Sequence, residues 1–325
     1  MLVVSQDAGR SRLKDGTMWQ RWMIVHKVVL RTVLPVLRRL PHRVSVALLG
    51  AMGRLDLLLV PKQATMYEAA VAEAADRLGC SWDVKAVTRK LARQTYRWRA
   101  RDFLLDGRSD RKVAAWFKVV GREHLDAAVA EGRGVVLLAN HFGSHLLTSH
   151  WLFRQGYPLR WFSEKPRNVS KYMAKQFETD GPLGQARMFI SRRSTPADAA
   201  SSILRASRAL NAGLLVKVAC DVRWCGPHTA VASFLGRPLA FSKTWVNLAA
   251  MSGASVVQVF CRMDESGIYH LEFLPGYQIP KEVVRTGQDA WWVQNALNVV
   301  EERVRFYPEQ SNDYFFWTEV EEAAA

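Results

Sequence analysis

Cysteine is scarce in this chain: Cys80, Cys220, Cys225 and Cys261 are the four in 325 residues, and their spacing is irregular. That excludes a disulfide-built scaffold and fits a reducing compartment. Cys220 and Cys225 have four residues between them and no second pair to complete a zinc site. Long apolar runs are also missing. The nearest, residues 22–37, is broken by His26, Lys27, Arg31 and Pro35, so no transmembrane helix is expected. Asp7 and Asp15 interrupt the N-terminus, and no apolar stretch there precedes a small-residue cleavage site, so no secretory signal is expected. Acidic residues are outnumbered, 30 Asp+Glu against 45 Lys+Arg, which leaves a net charge of +15. Such a chain suits an anionic partner: nucleic acid, anionic lipid, a CoA phosphate or an acidic carrier protein. No nucleic-acid recognition motif occurs and the charge is spread along the chain, which argues against nucleic acid.

What is present is a globular composition, 49% hydrophobic and 23% charged, with 12 tryptophans. Residues 1–16 read as a polar tail. Residues 17–60 mix Trp19, Trp22, Val28, Leu30, Val33, Leu34 and Leu37 with Arg21, Lys27, Arg31, Arg38, Arg39 and Arg43, punctuated by Pro35 and Pro41. That pattern predicts two or three basic amphipathic helices suited to an anionic membrane surface. The division expected is therefore 1–60, tail and membrane-associating helices, and 61–325, one α/β domain.

Within 61–325, residues 67–78 and 87–104 carry helical periodicity, and 121–132 reads as a helix closed by a glycine. Gly134-Val-Val-Leu-Leu-Ala-Asn140 is a strand apolar on both faces, followed by His141-Phe-Gly-Ser-His145 and an apolar helix to residue 153. Strands are further expected at 159–163, 213–219, 255–262 and 269–274, a turn at 234–238, and helices at 197–210, 244–252 and 290–307. Strand–helix alternation predicts a mostly parallel sheet flanked by helices.

His141 stands where a buried strand ends and a helix begins, the edge at which α/β sheets collect catalytic groups. A neutral imidazole there suits a general base. Gly143 permits close approach of substrate, and the N–H groups near Gly143 and Ser144 suit oxyanion contacts. Asp221 likewise follows a buried strand. His141, His145 and His150 invite a metal reading, but His141 precedes the helix and His150 is off the face of His145.

The run from Gly121 to Ser144 resembles the strand–loop–helix core of the bacterial lipid A late acyltransferases, a group that includes phosphatidylinositol mannoside acyltransferases. Asp221, Gly226 and Ser233-Phe-Leu-Gly-Arg-Pro238 resemble the family's Asp…Gly…Phe-Phe-Gly-Arg-Pro block. Ser252-Gly-Ala-Ser-Val-Val-Gln-Val-Phe260 resembles its Thr-Gly-Ala-Pro-Val-Val-Pro-Val strand, and Tyr307-Pro-Glu-Gln310 with Trp317 its C-terminal motif. The resemblance implies a glycerolipid-acyltransferase-like fold, peripheral at the cytoplasmic face of the inner membrane. It implies acyl transfer from a thioester, on acyl carrier protein or CoA, to a hydroxyl or amine, with no metal or redox cofactor. His141 aligns with the family histidine. Of the arginines Arg187, Arg192 and Arg193, one matches a functional family position, and Arg223 and Arg237 are candidates for phosphate.

One departure stands out. The family motif places Asp or Glu five residues after the histidine, and this chain has Leu146. A leucine cannot orient or neutralise an imidazolium. Three readings stay open: a substitute partner among His145, Ser144, Thr148, Glu164, Glu178 and Asp221; an acceptor that is easier to activate; or a member that binds an acyl carrier or lipid without transferring the chain.

Overall fold

The computed structural model describes residues 32–162, 169–178, 196–224 and 228–317. Three long helices come first: α1 (His42–Leu59), α2 (Pro61–Leu78) and α3 (Val84–Ala100). Then follow α4 (Asp110–Ala114), β1 (Phe117–Val120), α5 (Arg122–Ala130), β2 (Val135–Ala139), α6 (Leu146–Arg154), β3 (Leu159–Trp161) and α7 (Lys171–Gln176). The remainder is α8 (Pro196–Asn211), β4 (Leu215–Ala219), β5 (Thr229–Phe234), β6 (Arg237–Ser242), α9 (Thr244–Ser252), β7 (Ser255–Met263), β8 (Tyr269–Phe273), α10 (Val283–Thr286) and α11 (Asp289–Phe306).

Six strands form one sheet in the order β1-β8-β7-β2-β4-β3. All neighbours run parallel except β7 and β8, whose short connection returns the chain antiparallel. The unbroken apolar reading of β2 follows from its place inside the sheet. Val136 and Leu138 face one core, while Val135, Leu137 and Ala139 face the other. A strand covered on both sides has no polar face to keep.

Residues 42–59, grouped by sequence with the tail, bury one side of α1 in this core through Val46 and Leu49. Gly53 makes that packing possible: a Cβ there would lie 2.4 Å from the carbonyl oxygen of Ala92 on α3. The other side of α1 exposes Val44, Leu48, Leu55, Leu58 and Leu59, a stripe at helical spacing. Among the described residues no single helix is long and apolar enough to cross a membrane, and α1 and α2 meet at 104°.

Two features escape the sequence reading. The expected turn at 234–238 is the tip of an antiparallel hairpin, β5–β6, which forms its own two-stranded sheet. Leu235 and Gly236 both adopt positive φ at that tip. The six-residue α7 is capped by Ser170, whose hydroxyl accepts from the Met173 N–H.

Candidate active site

The register of two parallel strands brings the site together. Ala139 on β2 pairs with Ala219 on β4. His141 and Asp221 each stand two residues past that pair, at the carboxyl ends of adjacent strands. The Asp221 carboxylate then makes three contacts. Its Oδ1 lies 2.9 Å from His141 Nδ1, and its Oδ2 accepts from the His141 backbone N–H at 2.7 Å and from the Tyr314 hydroxyl at 2.5 Å. Asp221 is fully buried, whereas the His141 side chain is 40% exposed. Neutral His141 donates its Nδ1 proton to the carboxylate, which leaves the Nε2 lone pair as the available base.

The charges follow from this geometry. Burial pushes Asp221 up, but the imidazole beside it and three hydrogen bonds hold it below the usual carboxylate range. Crowding by the protein pushes His141 down. The charge and hydrogen bond of Asp221, with the charge of Asp313, outweigh that and raise His141 above its ordinary value, while Lys217 opposes them. Burial and the charge of Asp221 keep Tyr314 protonated.

The turn after β2 is held from both sides. The Asn140 side chain donates to the Val259 carbonyl at 3.0 Å and accepts from the Phe142 N–H at 3.2 Å. Gly143 takes φ +57°, and a Cβ there would lie 2.4 Å from the Cys261 carbonyl oxygen. Asn312 Nδ2 donates to the carbonyls of His141 at 2.5 Å and Gly143 at 2.9 Å.

This bracing corrects one expectation. The Gly143 N–H donates to the Gln310 carbonyl at 2.7 Å and the Ser144 N–H to the Cys261 carbonyl at 2.6 Å. Those two donors hold the turn together and are not directed at a reacting carbonyl.

The other expected residues scatter. The His145 ring packs edge-on to that of His141, centroids 5.0 Å apart, while His141 Nδ1 is satisfied by Asp221. Ser144 and Thr148 are buried, and Glu178 is exposed just past α7. Leu146 packs in a small apolar cluster with Trp161, Met173 and Phe177. Arg237 is buried, donating to the Trp317 carbonyl and pairing with Glu73 at 3.5 Å, so its charge serves the fold rather than a phosphate. Arg223 lies 5.5 Å above the Trp317 ring. Glu164, Arg187, Arg192 and Arg193 lie outside the described residues. His150 is fully buried, accepts from Arg154 at 3.3 Å and packs on Tyr172. Among the described residues no three metal-ligating side chains converge.

Sequence reasoning missed Tyr314 and Asn312, whose roles depend on the C-terminal segment folding back over β2. It also missed Lys217, one basic residue in an apolar strand.

Comparison with individually curated proteins gives no match. The family model for bacterial lipid A biosynthesis acyltransferases matches residues 28–317. That match spans the sheet, the His141 turn, Asp221 and the C-terminal brace, and the chain belongs to the bacterial lipid A biosynthesis acyltransferase family.

Proposed function

We propose that the protein transfers a fatty acyl chain from a thioester, acyl carrier protein or acyl-CoA, to a hydroxyl or amine of a lipid acceptor, with His141 as general base. The contact that carries this reading is the 2.9 Å approach of His141 Nδ1 to Asp221 Oδ1. In it Asp221 takes the role that the family motif gives to the residue at 146. The acceptor's proton passes to His141 Nε2 as its oxygen or nitrogen attacks the thioester carbonyl. The tetrahedral adduct collapses, the C–S bond breaks, and the imidazolium returns the proton to the departing thiolate. Asp221 keeps the imidazole in the required tautomer and steadies its cation, and the Tyr314 hydroxyl fixes Asp221 in turn.

The same reading places the protein on the cytoplasmic side of the inner membrane, as a peripheral enzyme. Its support is the stripe Val44, Leu48, Leu55, Leu58 and Leu59 on the outer face of α1, with Arg39, Arg43 and Arg54 exposed around it. Apolar residues that enter the lipid boundary beside cations that meet anionic headgroups form an interfacial helix. A surface of net charge +15 equally suits an acidic carrier protein or CoA phosphates.

The test is to incubate purified protein with acyl-CoA and acyl-carrier-protein pools, with and without membrane lipid extract, and to search for a new acylated product by mass spectrometry. A product that His141→Ala does not make supports the mechanism. Full product from His141→Ala ends it.

A further inference from the structure

Lys217 lies in the middle of β4, four residues before Asp221, in the sequence Leu-Val-Lys-Val-Ala. It shares a sheet face with Leu215, the face that α6 covers, and it is only 5% exposed. Its register partner on β3 is Trp161, and the ammonium lies 4.2 Å from the centroid of that indole ring. Nζ donates to Ser149 Oγ at 2.8 Å and to the His145 carbonyl at 3.3 Å. Among the described residues it forms no ion pair with a carboxylate.

An ammonium buried without a counter-charge is costly. Burial pushes Lys217 down to about 7. A leucine or valine would fill the same space in β4 without that cost. The contacts indicate what the lysine adds. Ser149 is on α6, and His145 immediately precedes it. The segment that runs into α6 carries His141, and β4 runs on to Asp221. One side chain therefore links the two segments whose alignment sets the His141–Asp221 contact. The buried cation also acts on the histidine itself. Lys217 is faced by Cys261 on β7, whose thiol burial pushes up to about 12, and His141 is faced by His145 before α6, Asp221 after β4, Asp313 in the C-terminal segment and Lys217 itself. Asp221 and Asp313 favour the imidazolium and Lys217 disfavours it. A general base must be neutral at working pH, and Lys217 adds to burial in limiting how far the two carboxylates raise His141.

We propose that Lys217 is a positioning residue of the acyl-transfer site, locking the start of α6 onto β4 and offsetting the charge of Asp221 at His141. Its catalytic meaning rests on the acyl-transfer reading, but its effect on His141 does not. The test is an NMR titration of the His141 imidazole in full-length protein labelled at histidine, run beside the acyl-transfer assay. Lys217→Met keeps the length of the side chain and removes the charge. In it His141 titrates at higher pH than in the wild type, and the acid limb of kcat/KM moves up with it. Ser149→Ala keeps the charge and removes one anchor. It lowers kcat across the pH range and leaves the His141 titration in place. Should Lys217→Met not fold, Lys217→Arg, charged throughout, makes His141 titrate lower than in the wild type. An unmoved or oppositely moved His141 in the folded variant overturns the assignment, even in a protein that transfers acyl chains. The titration needs no acyl substrate, so absence of product from the wild type sinks the acyl-transfer reading and leaves this result standing.

Discussion

Asp221→Asn changes one atom and separates orientation from packing. The carboxylate accepts three hydrogen bonds, from the His141 backbone, the His141 ring and the Tyr314 hydroxyl. An asparagine can satisfy two of them by placing its oxygen at the Oδ2 position. Its NH2 group then faces His141 Nδ1 and converts that nitrogen to an acceptor. The ring proton moves to Nε2, the atom required as base. The outcome expected is a fall in kcat of about 10³–10⁴-fold, or about 4–5.5 kcal/mol of transition-state stabilisation, on the scale seen when a triad histidine loses its acid. The pH profile adds a signed check. Asp221 raises His141, so removing its charge lowers the pH at which the imidazole deprotonates. The residual activity should keep an acid limb, displaced to lower pH. Folding should suffer less, by about 1.5–3 kcal/mol for one charge-assisted hydrogen bond in a buried site. Denaturation curves and steady-state rates between pH 5 and 9 measure both. Turnover within threefold of wild type, or an acid limb that moves upward, would refute the pairing as the functional one.

Three further substitutions probe the surroundings. Gly143→Ala forces a Cβ to within 2.4 Å of a backbone carbonyl oxygen at φ +57°. Activity should be lost and urea denaturation should show destabilisation of about 3 kcal/mol or more, and a stable, active variant would contradict the turn geometry. Leu146→Glu restores the family motif, but it buries a carboxylate among Trp161, Met173 and Phe177. It should cost about 2–4 kcal/mol of stability without raising turnover, and a gain in turnover would show that the site lacks its acid. Replacing Leu55, Leu58 and Leu59 together by serine removes exposed apolar area from α1 at about 1 kcal/mol each, so binding to anionic vesicles should weaken by about 100-fold. Unchanged vesicle sedimentation would reject the interfacial role of that face.

Sequence patterns reveal which residues stand at strand ends, but not which strand ends meet. Residues 134–140 and 213–219 are legible as buried strands because their runs are apolar, broken in the second by Lys217 alone, and His141 and Asp221 as polar residues just past them. The Ala139–Ala219 register that makes partners of those two is a long-range property, with no local signal in either strand. The Gly143 and Ser144 N–H groups look free in the sequence. Their acceptors belong to Gln310, far along the chain, and to Cys261 on the neighbouring strand. Arg237 resembles a phosphate ligand until α2 brings Glu73 beside it. Strands β5 and β6 are short and half apolar, so the Leu-Gly tip is readable where its arms are not. Lys217 passes unnoticed because a single lysine does not disturb the reading of residues 213–219 as a buried strand, and its partners lie on α6 and β3, far away in sequence.

The bracing of the His141 turn by residues 310–314 also sets an order of events during synthesis. Asn312 is 171 residues downstream of the carbonyl it holds. The His141 turn is therefore synthesised well before the residues that brace it. Until they are made the Gly143 N–H lacks its acceptor, and Asp221 lacks the hydroxyl that orients it. A polypeptide cut short before residue 310 would carry every strand of the sheet and both members of the pair, yet lack the Asn312 and Tyr314 contacts that hold the turn and the carboxylate in place.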